Sequence, residues 1–289
     1  MTAAQGLAAE ETHEVLSLVR MKEQIEVWEA TGDRRVIFLA CYAAMTANML
    51  EALETGVFRD GPWVGHLLAH FSNFYFNALE AYETRLPTVP PAWRYAHDLA
   101  LARFTSVEED LILGINAHIN GDLAFAVRDL LLEEWASLDE AGRSARYEDF
   151  NSVNRVIGKT TTTVQHDVVD RYDHLAGMVD RLMPPAMGLI DWTVDTMLSG
   201  WREDVWRWAT RLLDASRQPD LEAEVTQGVH TAAVHRVHVI TFELEERQRL
   251  LTASAEELAR IYSAFKGPWL RGLRDRHGQE QLPPATGRT

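Results

Sequence analysis

The stretch LILGINAHINGDLAFAV, residues 111–127, decides the fold class of this chain. Its apolar side chains recur at intervals of three and four residues, which is the spacing of one face of an α-helix. These positions are Leu111, Ile112, Ile115, Ile119 and Leu123. Because the flanking residues are also largely apolar, we expect this helix to run through the middle of a helical bundle.

Helical periodicity and helix-end signals continue along the rest of the sequence. Asp33 is the expected N-cap of a second helix, and Ser106 with Glu109 forms a capping box before the central helix. The predicted helices cover about residues 15–32, 33–55, 62–85, 92–104, 107–138, 147–182, 186–216 and 257–265. The fold class is therefore all-α: a single-domain multi-helix bundle with a central polar helix over residues 1–274, and a disordered tail at 275–289.

Residues 229–246 are ambiguous, because β-branched side chains are frequent there and partly alternate with polar ones. That pattern is compatible with a strand. A single strand would have no partner for its backbone hydrogen bonds, so we predict a helix.

The charge and cysteine content exclude several classes of protein. The chain has 28 basic and 43 acidic residues, a net charge of −15, which disfavours binding to nucleic acids and to anionic membrane surfaces. One cysteine, Cys41, excludes an intramolecular disulfide and fits a reducing compartment. The N-terminus lacks the pattern of a signal peptide, and Thr46 and Asn48 interrupt the most apolar run, residues 36–50, short of the ~20 residues that span a bilayer. We expect a cytoplasmic protein.

The central helix carries two polar pairs at i,i+4 spacing: Asn116 with Asn120, and His118 with Asp122. A carboxylate beside an imidazole fixes its tautomer and raises its basicity, as a general base requires. The same spacing could supply two ligands to a metal, or a buried hydrogen-bond cluster that fixes the helix register. Four polar residues in one buried segment carry a desolvation cost, which favours a cavity beside them.

Histidines elsewhere offer weaker metal-binding patterns. His66 and His70 could join His118 and Asp122 as four ligands across two helices, but the glutamate of HExxH is missing. His230, His235 and His238 lack cysteines or carboxylates at ligand spacing. Glycine-rich phosphate loops, GxSxG and DDxxD patterns are absent from the sequence. We therefore predict no metal and no organic cofactor.

Four segments together resemble the bacterial domain-of-unknown-function family 5995: GINAHINGDLAFAV, FSNFYFNAL, DFNSVN and WREDVWRWA. The resemblance spans roughly residues 37–213, rests mainly on the G-x-N-A-H-I-N-x-D-L core, and implies an all-helical fold without a known reaction. The positions that it shares with the family are Asn73, Tyr75, Asn116, His118, Asn120, Asp122, Asp149, Asn154, Arg202 and Trp206.

A fainter similarity exists to zinc-dependent phospholipase C and P1-nuclease hydrolases, in which an H-x-x-G-D-L string binds zinc. His118 to Leu123 fits that string. The histidine expected shortly downstream is missing, since Ala126, Val127 and Arg128 stand there. A trinuclear zinc site is therefore not expected.

The leading hypothesis is a cofactor-independent enzyme that performs cyclisation, elimination or hydrolysis on a small, largely apolar metabolite, such as a tailoring step in secondary metabolism. His118 would transfer the proton, Asp122 would orient it, and Tyr75 would be a second acid. The other shared positions would bind the substrate. Alternatives are a metal-dependent phosphoester hydrolase and a non-catalytic small-molecule-binding protein. A small-molecule substrate is the expected partner. The sequence does not decide whether the chain forms a homo-oligomer.

The sequence also predicts where His118 lies. We expect it in a partly aromatic pocket, because Trp, Phe and Tyr are frequent in the flanking helices. At least two of four polar side chains should line the same pocket: Asn73, Tyr75, Asp149 and Asn154.

Overall fold

Every regular element in the described part of the chain is a helix, in agreement with the predicted all-α class. The computed structural model describes residues 3–103, 105–175 and 187–241. The helices are α1 (Ala3–Thr31), α2 (Val36–Glu54), α3 (Gly61–Glu83), α4 (Pro91–Ala102), α5 (Val107–Asn116), a π-helix (Ala117–Asp122), α6 (Leu123–Leu131), α7 (Glu140–Tyr172), a 3₁₀ turn (Asp173–Leu175), α8 (Met187–Ala215) and α9 (Pro219–Ile240).

Helix ends follow from capping side chains, and several predicted ends were wrong. Helix α1 begins at Ala3 and not at 15, α6 ends at Leu131 and not at 138, and α7 ends at Tyr172 and not at 182. The capping box of Ser106 and Glu109 is formed, with both reciprocal hydrogen bonds present. Asp33 does not cap α2, because its carboxylate instead binds the backbone and guanidinium of Arg35, the residue at the N-cap position. Helix α7 begins seven residues before the predicted start, since the Asp139 carboxylate accepts the Gly142 N–H at 2.8 Å.

The ambiguous segment is helical as far as the structure describes it, because α9 continues to Ile240. The predicted helix at 257–265, the domain end at 274 and the tail at 275–289 lie outside the described residues.

The segment α5–π–α6 forms the centre of the bundle. Helices α2, α3, α4, α8 and α9 all pack against it. Leu113, Ala117 and Leu123 on this segment are at most 1% exposed. The prediction of a central polar helix is therefore confirmed, and its polar residues are buried with its apolar ones.

Helix α2 supplies much of the wall around this centre. It is long and apolar enough to cross a membrane by length and composition, with a mean hydropathy of 1.6. Of that window, 61% is buried inside the fold, and a buried core helix passes the same test. No other described helix meets these criteria.

A close approach between α2 and α5 explains the glycine of the central motif. A Cβ at Gly114 would collide with the Cβ and ring atoms of Phe38, which are not free to move away. Glycine at this position therefore lets the Phe38 ring lie against the central helix, where its centroid is 5.8 Å from that of His118.

Helix α4 adds a second aromatic layer. His97 is 4% exposed and stacks on Trp93, with ring centroids 5.3 Å apart and planes at 21°. Its Nε2 has no hydrogen-bond partner among the described residues. Burial lowers the pKa of His97 from its ordinary 6.5 to about 3. His97 is thus neutral in the folded protein at pH 7.

We predict that His97→Phe makes the stability of the protein less sensitive to acid. His97 becomes protonated on unfolding below pH 6.5 but stays neutral in the folded state down to about pH 3. Native stability therefore falls as the pH drops through this window, by up to about 1.4 kcal/mol per pH unit from this residue. Phenylalanine keeps the ring on Trp93 and removes the titration. The free energy of unfolding is measured with urea between pH 7.5 and 4.5. Relative to the wild type, that of the variant should increase only below pH 6.5. The same pH dependence in both proteins would contradict this prediction.

Candidate functional site

His118 and Asp122 form a buried hydrogen-bonded pair within the π-helix. The Nδ1 of His118 lies 3.1 Å from Oδ2 of Asp122, and the two residues are only 3% and 2% exposed. Trp93 Nε1 donates to the same carboxylate oxygen at 2.8 Å. Helix α4 thus holds the carboxylate, and the carboxylate holds the imidazole.

The arrangement fixes the tautomer of His118. Trp93 can only donate, so Oδ2 of Asp122 is an acceptor, and the proton of His118 lies on Nδ1. Burial lowers the pKa of His118, an effect that the hydrogen bond and charge of Asp122 only partly offset. Burial likewise raises the pKa of Asp122 against the stabilising contacts of His118 and Trp93. At pH 7 His118 is neutral and presents the lone pair of Nε2.

Aromatic rings surround the imidazole. Phe71 stacks on it with centroids 3.6 Å apart and planes at 6°, and the Tyr42 ring meets it edge-on at 4.4 Å. Nε2 of His118 is buried and has no hydrogen-bond partner in the described structure. A buried nitrogen without a partner is unusual in a folded protein.

His118 lines a cavity of about 120 Å³ that lies between α2, α3, the central helix, α7 and α8. Its lining is mainly aliphatic, methionine and aromatic, and the described lining residues include neither Asp nor Glu. An engineered apolar cavity of ~150 Å³ stays dry and binds benzene, so this one is suited to a small, largely apolar molecule.

Among the described residues, eight buried polar side-chain atoms lack a hydrogen-bond partner, and four of them belong to residues that line this cavity. Besides Nε2 of His118, they are the Tyr42 hydroxyl, Oγ1 of Thr46 and Nε of Arg202, each on a lining residue and each without a partner among the described residues. Tyr42 and Thr46 lie one turn apart on α2. Four residues with an unpartnered polar atom thus line one apolar space, and such atoms are suited to hydrogen-bond a polar group of a ligand.

Arg202 brings a buried positive charge to the same space. It is 4% exposed, its guanidinium lies 4.6 Å over the Phe150 ring, and one Nη donates to the Phe150 carbonyl at 3.4 Å. In the part of the chain that the structure describes, it has no carboxylate partner. Burial lowers the pKa of Arg202 to about 10, which leaves it protonated at neutral pH.

Cys41 also lines the cavity, but it is not an activated nucleophile. Burial raises the pKa of its thiol to about 12. The thiolate, which is the reactive form, is therefore scarce at neutral pH.

The two asparagines of the central helix have a structural role. Asn120 Nδ2 donates to Asn116 Oδ1 at 3.0 Å, and Asn116 Nδ2 donates to the Ala233 carbonyl of α9 at 3.0 Å. Neither lines the cavity. They join the central helix to α9, and the hypothesis that they anchor a substrate has no support in this geometry.

The prediction that two of four named polar residues line the pocket was wrong. Tyr75 is buried with its ring 6.1 Å from that of His118, but it packs behind the lining against Phe38. Asn73 is exposed. Asp149 accepts the backbone N–H groups of Arg59 and Asp60 at 2.9 and 3.1 Å and lines a separate cleft. The side chain of Asn154 lies outside the described residues.

Trp206 lies outside the cavity as well. It packs against Trp135, Tyr147 and Phe150, with ring centroids 5.2–6.3 Å away. Of the residues proposed from the sequence, the structure therefore places His118 and Arg202 at the cavity and Asp122 directly behind His118.

The four-ligand metal arrangement is not formed. His70 instead hydrogen-bonds Asp129 at 3.0 Å, and His66 is exposed. Within residues 3–103, 105–175 and 187–241, no three His, Cys, Asp or Glu side chains are placed to hold a metal ion.

Sequence reasoning missed Tyr42, Thr46 and Trp93. The hydroxyls of Tyr42 and Thr46 are at i,i+4 spacing in the most apolar helix, and this pattern could have indicated that one face of α2 lines a cavity. A buried indole needs an acceptor for its N–H, but the sequence does not show that the acceptor of Trp93 is Asp122.

A comparison with protein families gives one match over most of the chain. The family model described as "Family of unknown function (DUF5995)" matches residues 14–241. The resemblance inferred from the sequence is confirmed, and it extends further at both ends, including α9. Searches of curated proteins and of solved structures gave no significant match.

Proposed function

The chain belongs to the family of unknown function DUF5995, and from the geometry of its site we propose that it is an acid–base enzyme acting on a small, largely apolar molecule. His118 is the general base, and Asp122 orients it and stabilises the imidazolium that forms. Proton transfer of this kind needs only the side chains named here, so we propose no organic cofactor.

One observation carries this proposal: a buried, neutral His118 lines an apolar cavity, its Nε2 has no partner among the described residues, and its Nδ1 is held by Asp122. His97 also has an unpartnered ring nitrogen, but it does not line the cavity and has no carboxylate to orient its ring. The lowered pKa of His118 keeps it in the base form down to slightly acidic pH.

The size and character of the cavity favour some reactions over others. A molecule that fills about 120 Å³ of mainly apolar space leaves little room for a water nucleophile. Elimination or cyclisation, in which the base removes a proton from the substrate itself, fits better than hydrolysis. Such a step would suit the tailoring of a secondary metabolite.

Tyr42 replaces Tyr75 as the candidate acid. Tyr42 lines the cavity, and its buried hydroxyl has no partner among the described residues. Burial, together with the negative charge of Asp122, raises the pKa of Tyr42 well above its ordinary value. The hydroxyl therefore stays protonated and can donate a hydrogen bond to a developing negative charge on the substrate.

A second candidate is a binding protein that uses the same cavity without chemistry. The apolar lining favours it, because such a lining is typical of ligand-binding sites in general. A metal-dependent phosphoester hydrolase is less well supported, since His118 and Asp122 contact each other instead of converging on a common point.

The two candidates are separated by measuring binding and turnover on the same compounds. Small aromatic and alicyclic ketones, alcohols and acids are first ranked by the rise in melting temperature that they cause. Those that bind are incubated with the protein in D₂O, and product formation or deuterium incorporation is followed by ¹H NMR. We expect at least one ligand to exchange or react with the wild-type protein and not with His118→Ala. Tight ligands that never react would favour the binding protein.

A further inference from the structure

We infer that the ligand of this cavity is a small apolar carboxylic acid, bound as its carboxylate by Arg202. This inference rests on the proposed function only for the reaction itself, since the binding can be measured without turnover. It assigns the substrate class that the site selects.

The first support is the burial of a charge that no described residue neutralises. A guanidinium has five N–H donors, and in the described structure that of Arg202 makes one long hydrogen bond, to the Phe150 carbonyl. Removing a charged group from water is costly unless an opposite charge compensates it. Since α8 places Arg202 in the cavity wall, an anion bound in the cavity would supply the missing charge.

The second support is the lack of any competing anion in the described lining. Asp122 is the carboxylate nearest to His118, but Trp93 and His118 already occupy it. His118 is neutral, so Arg202 is the one charged group that the described lining contributes. A ligand with a single negative charge balances the site.

The third support is the shape of the site. A planar guanidinium binds a carboxylate through two parallel hydrogen bonds, which fixes the orientation of the ligand as well as its affinity. Tyr42 and Thr46 line the same cavity, and their unpartnered hydroxyls are further donors. With the carboxylate held at Arg202, the apolar body fills the remaining space against Phe38 and Phe71 and presents its reactive hydrogen to His118.

Benzoate and benzyl alcohol are matched probes for this inference, because they differ in charge and hardly in size. Their affinities for the full-length protein are measured by isothermal titration calorimetry. We expect wild type to prefer benzoate by about tenfold or more, as a charge-assisted pair of hydrogen bonds provides. Equal affinity for the two probes, or no binding of benzoate, would overturn the inference.

Two substitutions locate the preference. Arg202→Met keeps the length and the packing on Phe150 but removes the charge, and it should abolish the preference for benzoate. Arg207→Met, on the same helix but with a side chain 70% exposed, should leave it unchanged. A preference for benzoate that survives in Arg202→Met would show that the anion binds elsewhere.

The melting temperature of the unliganded variant gives an independent readout. If Arg202 lacks an internal counter-charge, Arg202→Met should melt at or above the wild-type temperature. A large fall in melting temperature, or failure to fold, would show that Arg202 has a structural partner and would contradict the inference.

Binding of benzoate should be retained in His118→Ala, because this substitution leaves Arg202 in place. The protein could also turn over uncharged compounds in a His118-dependent way without preferring carboxylates. That result would refute the carboxylic acid as the substrate class and would leave His118 as the proposed base.

Discussion

His118→Ala is expected to lower turnover of any substrate of this protein by about 10²–10⁴-fold, the usual contribution of a general base. The substitution removes the one unpartnered ring nitrogen at the cavity and leaves Arg202 and the apolar wall intact. Stability should fall by only about 1–3 kcal/mol, for the lost hydrogen bond to Asp122 and the lost stacking on Phe71. Steady-state kinetics and urea unfolding on the same preparation separate these two effects.

The chain offers a matched control for this variant. His70 also pairs with an aspartate, Asp129, at 3.0 Å, but both side chains are about one third exposed and neither lines the cavity. His70→Ala should retain wild-type turnover. The space left by the alanine is that of an imidazole ring, so added imidazole should restore part of the activity of His118→Ala. Full activity in His118→Ala would refute the proposed role, whatever its stability.

Asp122→Asn should reduce turnover by a comparable factor, about 10²–10⁴-fold, while keeping the shape of the side chain. Its amide oxygen can still accept from Trp93 and from Nδ1 of His118. The negative charge that stabilises the imidazolium during proton transfer is lost. Because Asp122 raises the pKa of His118 through both its hydrogen bond and its charge, the substitution should lower that pKa further.

The pH dependence tests this role directly. The rate rises with pH as His118 loses its proton, so in wild type the acidic limb should have its midpoint below 6.5, and in Asp122→Asn lower still. The pH–rate profile and the NMR titration of the His118 ring should move together. Asp129→Asn is the control that should change neither. An unchanged rate and profile in Asp122→Asn would show that the carboxylate only positions helix α4.

The parts of this site that the sequence predicted correctly are local. His118 and Asp122 are four residues apart on one helix, and that spacing brings them together whatever surrounds them. The fold class followed from the same periodicity. Asn116 and Asn120 obey the same rule and do contact each other.

The parts that the sequence could not provide depend on contacts between distant segments. Asn116 is as polar as His118, but its partner is a carbonyl 117 positions away on α9, which turns it into a link between helices. Asp149 has the chemistry of a site residue in the sequence, but in the structure its carboxylate accepts two backbone N–H groups just before α3. Periodicity places a residue on a face of its helix, but the element that covers the face is decided by packing.

The π-helix has a consequence for the evolution of this family. Its wider turn, seen in the bond from the Leu123 N–H to the His118 carbonyl, accommodates one residue more than an α-helical turn of the same rise. In evolutionary terms it equals a single-residue insertion that was kept inside a core helix. A relative with one residue fewer between His118 and Leu123 would regain an ordinary α-helix. Because the wide turn absorbs the extra residue, the helix after the deletion would keep its faces. The spacing of His118 and Asp122 would fall from four residues to three, and the turn that sets the 3.1 Å contact between them would be lost. The length of this segment, counted in an alignment, therefore shows which relatives keep this geometry of the pair.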